Sequence, residues 1–187
     1  MRKIFLFTVA VFLCFQSVWA DDHNPFFGDH RHQVALSLGW GTGNGFIVPP
    51  PAYFVPFAEA HVQYSVPSTM FYFPGRFSLN ITQTIGLGRG RGWDWRDLSI
   101  PIVYLTQDVA LLQYEDFYFG AGGGGGFQVQ ENSRIGSKLI FTLKLFIGYN
   151  ITESFAMEVY VKHFSNGNTA PENNSYAFYG LSATYSF

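Results

Sequence analysis

Hydrophobic and polar residues alternate along eight segments of the chain with a period of two residues. Successive side chains of a β-strand point to opposite faces, so this period predicts strands that are apolar on one side and polar on the other. The clearest segment has apolar residues at Leu139, Phe141, Leu143, Leu145 and Ile147. We expect the eight strands at about 33–41, 57–66, 77–87, 100–112, 117–126, 138–147, 157–165 and 179–187.

These strands are expected to close into a barrel within a membrane. The chain is 48% hydrophobic and 19% aromatic but only 13% charged, and beyond its N-terminus it lacks an apolar run of the roughly 18 residues that a spanning helix needs. Interleaved apolar and polar residues are typical of outer-membrane barrels, and an open sheet edge is not stable in lipid. The predicted fold class is therefore all-β, an eight-stranded antiparallel transmembrane β-barrel of the bacterial outer membrane.

The N-terminus has the three parts of a secretory signal. A basic start at residues 1–3 precedes an apolar run at 4–15, and small residues lead up to Ala20. We expect residues 1–20 to be removed and residues 21–187 to form a single domain. Removal would take away Cys14, the chain's one cysteine, which excludes disulfides and thiolate chemistry from the mature protein.

Connections of unequal length predict how the barrel is oriented, because bacterial barrels keep periplasmic turns short and extracellular loops long. Short turns are expected at 113–116 and 150–154, and the loop expected at 67–75 is an exception to this rule. The longer connections are 41–56, 88–97, 128–137 and 165–175. With both termini periplasmic, the seventh strand ends at the cell surface.

Charged residues on the inner faces predict a polar barrel interior. Lys144, Glu158 and Lys162 alternate with apolar neighbours, and we expect Glu158 to form ion pairs with the two lysines. Such an interior distinguishes this chain from a membrane acyltransferase of similar size, which would need an acyl-chain cavity inside the barrel. Small barrels of this kind fill their interiors with side chains.

Several other kinds of site are not supported by the sequence. The net charge is −2 with no basic tract, so no nucleic-acid partner is expected. The glycine run 122–126 lacks the Lys-Ser/Thr of a phosphate-binding loop, and we interpret it as close backbone packing beside a neighbouring strand. His30 and His32 have no third ligand nearby, so we interpret the segment before the first strand as a mobile terminus. No metal or cofactor is expected.

The seventh strand carries a polar pair on its apolar face. His163 and Ser165 continue the stripe formed by Met157, Val159 and Val161, which places them on the lipid-facing wall near the outer leaflet. Their Cα atoms would lie about 6.7 Å apart, and an imidazole can reach a hydroxyl across that distance. A histidine can act as the base that activates a serine nucleophile for ester cleavage. Taken alone, a His-x-Ser pair more often marks an interfacial histidine followed by an ordinary turn, and its place on the lipid face shifts the interpretation towards chemistry.

The loop after this pair offers candidates for the remaining roles of a serine esterase. A carboxylate or amide usually orients the histidine, and Glu172, Asn173 and Asn174 are available. Donors are also needed for the developing oxyanion. Asn166, Asn173 or backbone N–H groups near 167–168 could supply them.

The segment His163-Phe164-Ser165-Asn166-Gly167, followed by Pro171, Asn173 and a last strand with an aromatic end, resembles the C-terminal signature of the lipid A 3-O-deacylase (PagL-type) family. Members are outer-membrane barrels that hydrolyse the ester-linked 3-hydroxyacyl chain at the 3-position of lipid A. The resemblance implies His163 as general base, Ser165 as nucleophile and Asn173 as an oxyanion donor. The expected partner is lipopolysaccharide in the outer leaflet of a Gram-negative cell, and the oligomeric state, including a homodimer, is left open.

The chain departs from the family at the third catalytic member. At the family's spacing this position is Ala177, which cannot orient a histidine. Glu172 is the substitute we expect, with Asn174 as the alternative, and an inactive relative stays open. The rival to an enzyme is a small barrel for adhesion or lipopolysaccharide binding. Its loop residues would be Arg89, Arg91, Trp93, Trp95 and Arg96.

Overall fold

The computed structural model describes residues 24–42, 57–87, 99–132 and 134–187, and every regular element in these ranges is a strand. The expected signal peptide and the loop residues Arg89, Arg91, Trp93, Trp95 and Arg96 lie outside them. No helix long and apolar enough to cross a membrane occurs in the described ranges. The strands are β1 Gln33–Thr42, β2 Phe57–Met70, β3 Phe73–Gly86, β4 Pro101–Tyr114, β5 Phe117–Gln128, β6 Leu139–Asn150, β7 Phe155–Ser165 and β8 Tyr176–Ser186.

The eight strands form one closed antiparallel barrel, which confirms the predicted fold class. Each strand pairs with the next, and β8 returns to β1, so that Leu38 lies opposite both Ala60 and Leu181. Closure pairs the backbone N–H and C=O groups of β1 with those of β8. Lipid offers no hydrogen-bond partners for such groups. Short turns join the strands at one end, here called the turn end, and longer connections join them at the other, the loop end.

The two faces of the barrel have opposite character. Polar side chains of alternate positions are buried inside, whereas the intervening apolar side chains face outward and are exposed, Leu38 at 72%. An exposed apolar band of this extent is unfavourable in water and suits the hydrocarbon of a bilayer. Other outward residues of the band are Leu36, Val62, Ile81, Leu143, Val159 and Leu181.

Ion pairs fill the interior towards the turn end. Arg76 is fully buried and contacts Glu158 at 2.6 Å and Asp108 at 3.0 Å, while Lys144 contacts Glu158 at 3.0 Å. The predicted pairing of Lys144 with Glu158 is confirmed. The predicted pairing of Glu158 with Lys162 is wrong, because Lys162 pairs with Glu59 at 2.8 Å, nearer the loop end.

The glycine run of β5 permits close approach of its neighbours. A Cβ atom at Gly122 would collide with the carboxylate of Asp108, and one at Gly124 would collide with the carbonyl of Leu105. Both contacts are with β4, the paired strand. The interpretation of the run as close packing beside a neighbouring strand is therefore confirmed.

The prediction of a loop at 67–75 is wrong. Strands β2 and β3 continue through it as a hairpin whose turn is Phe71-Tyr72, both with positive φ of 51° and 69°. Pro67 and Pro74 suggested a break, but both lie in the paired register. The connection is consequently short, and the exception to the loop-length rule disappears.

The interpretation of the segment before β1 as a mobile terminus is also wrong for residues 24–32. Phe26 and Phe27 are buried, and the Arg76 guanidinium lies 4.6 Å from the Phe26 ring centroid. Asn24 Nδ2 donates to the Gly75 carbonyl at 2.9 Å, and Gln33 Nε2 donates to the Phe26 carbonyl at 2.7 Å. The segment therefore folds into the turn end and closes it.

The two histidines of this segment contact hydroxyl groups. His30 Nε2 lies 2.8 Å from Ser154 Oγ, and His32 Nδ1 lies 2.8 Å from Tyr64 OH. These contacts tie the segment to the β6–β7 turn and to β2.

Candidate active site

His163 and Ser165 are the last two outward-facing residues of β7, at the loop end. Their neighbours Lys162 and Phe164 point inward and are buried, whereas His163 and Ser165 are half-buried on the outer face. The alternation that puts Val159 on the lipid side extends to both of them. Strand alternation thus directs both side chains to the outward face of β7.

The strands beside β7 present apolar residues to the pair. His163 lies between Leu143 of β6 and Ala177 of β8 in the strand register, and Ser165 lies opposite Phe141 of β6. Ala177 is fully buried and its side chain has no polar atom. A group that orients the imidazole must therefore come from a position other than these two cross-strand neighbours.

The loop that follows, residues 166–175, is organised around the buried side chain of Asn166. Its Nδ2 donates to the Glu172 carbonyl at 2.7 Å and to the Ala170 carbonyl at 3.3 Å. Its Oδ1 accepts from the Asn168 N–H at 2.8 Å. Both N–H groups of this amide are used within the loop, so Asn166 fixes the shape of the chain directly after Ser165.

Asn173 joins the two sides of the loop. Its Oδ1 accepts from the Asn166 N–H at 3.0 Å, and its Nδ2 donates to Asn168 Oδ1 at 2.9 Å. An amide nitrogen carries two hydrogens, so one further donation by Asn173 is chemically available. The loop turns at Gly167 and Asn168, both with positive φ near 60°, and a Cβ at Gly167 would press on the Phe141 ring.

Glu172 and Asn174 are both exposed on this loop. The carboxylate of Glu172 lies on the Gly136 side, since a Cβ at Gly136 would stand 2.5 Å from Glu172 Oε2. The Asn174 N–H donates to the Arg134 carbonyl at 2.7 Å. The structure thus joins Asn166, Asn173 and Glu172 through one hydrogen-bonded loop next to Ser165.

A second layer of residues, which sequence reasoning missed, comes from the β5–β6 connection and packs against this loop. Arg134 donates from Nε to the Asn174 carbonyl at 2.6 Å and from Nη2 to the Ser175 carbonyl at 2.7 Å. Asn132 donates to the Tyr176 hydroxyl at 2.7 Å. Burial lowers the pKa of the Arg134 guanidinium. Its acceptors are backbone carbonyls about forty residues away, which no side-chain motif could have revealed.

The described residues hold no group of three or more His, Cys, Asp or Glu side chains that could bind a metal ion. The polar groups gathered at the loop end are hydroxyl, imidazole, amide and carboxylate. This set matches the requirements of nucleophilic acyl transfer, which needs a nucleophile, a base and hydrogen-bond donors.

A family model described as Lipid A 3-O-deacylase (PagL) matches residues 36–186, a range that includes His163, Ser165 and the loop after them. No curated protein matches the chain.

Solved structures share the fold at low sequence identity. The crystal structure of the outer membrane enzyme PagL is 12% identical, with 83% of this chain and 99% of that chain covered and a TM-score of 0.53. Neisserial surface protein A (NspA) is 8% identical, covering 83% and 97%, with a TM-score of 0.60. A de novo designed transmembrane β-barrel is 9% identical, covering 84% and 96%, with a TM-score of 0.51. At these identities the structures are evidence for the barrel fold alone.

Proposed function

Because the chain belongs to the lipid A 3-O-deacylase (PagL) family, it is an ester hydrolase of the outer membrane, and we propose that it cleaves lipid A through His163 and Ser165. The bond cleaved is the ester of the 3-hydroxyacyl chain at the 3-position. The substrate is lipopolysaccharide of the outer leaflet, which the long connections of the loop end would face.

The observation that carries the proposal is the outward position of the pair at the end of β7. An ester of lipid A lies near the boundary between acyl chains and sugar headgroup. A serine on the outer wall at that height meets the ester without the lipid leaving the membrane. A serine inside the barrel would face the ion pairs of Arg76 and Lys144 instead.

The reaction proceeds in two steps. Neutral His163 accepts the proton of Ser165 Oγ while Oγ attacks the ester carbonyl, and the tetrahedral intermediate expels the sugar oxygen, which takes the proton from His163. This leaves an acyl-Ser165 ester. Water then gives a proton to His163 and attacks the acyl carbonyl, which releases the 3-hydroxy fatty acid and returns the proton to Ser165.

Asn166 and Asn173 are the proposed oxyanion residues. Because both side-chain N–H groups of Asn166 already donate to carbonyls, Asn173 is the better-placed donor and Asn166 contributes by fixing the loop. Removing one such donor costs about 100-fold to 1,000-fold in kcat in serine hydrolases.

Glu172 is the proposed third member, with Asn174 as its alternative. A carboxylate stabilises the imidazolium that forms during catalysis. The Glu172 side chain is exposed and must turn from Gly136 towards His163 for this role. Comparing Glu172→Gln with Asn174→Ala would separate the two candidates by their loss of kcat.

The test of the proposal is Ser165→Ala, with Ser154→Ala in the β6–β7 turn as the matched control. Mass spectrometry of lipid A from cells expressing wild type or Ser154→Ala should show loss of one 3-hydroxyacyl chain. Ser165→Ala should show none, while its heat-resistant migration on gels stays that of a folded barrel. Equal acyl loss in all three would contradict the proposal.

A further inference from the structure

The β5–β6 connection lies along the β7–β8 loop through backbone contacts. Ile135 and Asn173 form an isolated antiparallel bridge, and the Gly136 N–H donates to the Glu172 carbonyl at 3.0 Å. Together with the bond from the Asn174 N–H to the Arg134 carbonyl at 2.7 Å, these contacts make a short two-stranded brace. The brace covers the stretch that holds Asn173 and Glu172.

Arg134 is the side chain that completes this brace. Its guanidinium holds the carbonyls of two successive residues, Asn174 and Ser175, at 2.6 and 2.7 Å. It also lies 5.4 Å from the ring centroid of Phe57 and 5.8 Å from that of Tyr176. The planar fork of arginine suits two acceptors and a stacked ring at once, whereas a lysine ammonium is a single point charge.

Asn132 orients this arginine from within its own connection. Its Oδ1 accepts the N–H groups of Arg134 and Ile135 at 2.8 and 2.7 Å, while its Nδ2 donates to the Tyr176 hydroxyl at 2.7 Å. Arg134 is only 4% exposed. Burying a charged side chain is unfavourable unless its hydrogen bonds are well made, so the arrangement specifies the path of the chain into β8.

We propose that Arg134 is a positioning residue for the deacylation reaction, an inference that rests on the function proposed above. By holding the carbonyls of Asn174 and Ser175, it fixes the backbone that carries Asn173. The amide of Asn173 in turn binds the N–H of Asn166, the residue directly after Ser165. Arg134 acts on the reaction through this chain of contacts.

The experiment measures kcat and KM for lipid A in detergent micelles with Arg134→Ala, Arg134→Lys and the control Arg31→Ala, an exposed arginine at the turn end. A misplacement of about 1 Å in an active site can lower the rate by about 100-fold. We expect kcat to fall by roughly 10-fold to 100-fold in Arg134→Ala, with KM changed less than about twofold. Arg134→Lys should lose nearly as much, because it keeps the charge but not the fork.

Chemical rescue separates positioning from a general loss of structure. Methylguanidinium should restore part of the kcat of Arg134→Ala and leave Arg31→Ala unchanged. Amide hydrogen exchange should become faster in residues 166–175 of Arg134→Ala while β7 and β8 keep their protection. A wild-type kcat in both Arg134 variants would overturn the inference.

The failures of the two proposals are distinguishable. Wild-type protein that leaves lipid A intact would overturn the proposed function and the positioning role with it. Active wild type, inactive Ser165→Ala and fully active Arg134 variants would overturn the inference alone. Loss of heat-resistant migration in both Arg134 variants would assign Arg134 a structural role and also overturn it.

Discussion

The two ends of the barrel are held by different interactions. The turn end is closed by the buried rings of Phe26 and Phe27, and the Phe26 ring packs against Arg76, which is itself paired with two carboxylates. The loop end beside Ser165 is held by hydrogen bonds among loop amides and backbone carbonyls. Removing one partner of a buried ion pair costs several kcal/mol, whereas a neutral hydrogen bond contributes about 1 kcal/mol.

We therefore expect the stability of the barrel to depend mainly on the turn end and its catalytic activity mainly on the loop end. Changes at the turn end should alter the free energy of unfolding with little effect on the chemistry, because the ion pairs of Arg76 lie inside the barrel, towards the opposite end of β7 from Ser165. Changes at the loop end should alter kcat while the barrel stays folded.

The largest effect is expected from His163→Ala. Removing the base from a serine hydrolase leaves the nucleophile protonated, and triad members are typically worth about 10,000-fold or more in kcat. We expect a loss of this order in lipid A deacylation, measured by release of 3-hydroxy fatty acid. The heat-resistant gel migration should not change, since His163 lies on the outer wall. His30→Ala is the matched control at the turn end, and comparable activity in both variants would remove the assigned role of His163.

Arg76→Met should give the largest change in stability. It leaves Asp108 and Glu158 with Lys144 as their remaining cation, and breaking a buried pair costs about 3–5 kcal/mol. Urea titration in detergent, followed by tryptophan fluorescence, should show this loss against an unchanged Arg31→Ala control. The activity of the folded fraction should stay near wild type. A selective loss of kcat at full stability would break the separation of the two ends.

Asn173→Ala is expected to have the next effect, about 100-fold in kcat if this amide donates to the oxyanion. Asn173→Asp is the informative companion, because it keeps the acceptor for the Asn166 N–H but replaces the donor with a carboxylate. Both variants should lose kcat at unchanged KM. If Asn173→Asp retained wild-type kcat, Asn173 would act only through its bond to Asn166.

The sequence was sufficient to predict the barrel and the outward direction of His163 and Ser165, because both follow from apolar and polar residues alternating with a period of two. It failed where tertiary contacts decide the outcome. Pro67 and Pro74 carry a local signal for a break, yet they lie in paired positions of a long hairpin. The polar residues around Phe26 suggested a free terminus, but the ring docks onto Arg76, a contact 50 residues away in sequence.

The sequence predicts some residues of the candidate site better than others. The outward position of His163 follows from strand parity, while its proposed role as a base rests on the chemistry of a His-Ser pair and on the family resemblance. The sequence does not single out Arg134, because its hydrogen-bond acceptors are backbone carbonyls, which every residue carries. The sequence places an apolar residue, Ala177, at the expected position of the third member, but that this residue lies directly across from His163 follows only from the strand register.

Ala177→Glu tests how far the loop end can be improved, and its expected effect is the smallest. Residue 177 pairs with His163 across β7 and β8, so a carboxylate there would lie where it can orient the imidazole. A hydrogen bond to a charged group contributes about 1.5–3 kcal/mol, but Ala177 is fully buried and the larger side chain must displace neighbours. We therefore expect kcat to rise by only about threefold to tenfold. Ala177→Gln has the same size without the charge and should not give this gain. An equal kcat in wild type and Ala177→Glu, with both folded, would indicate that Glu172 or Asn174 already supplies the third catalytic group. The hydrogen-bonded loop end would then hold a complete set of catalytic groups without any change at residue 177.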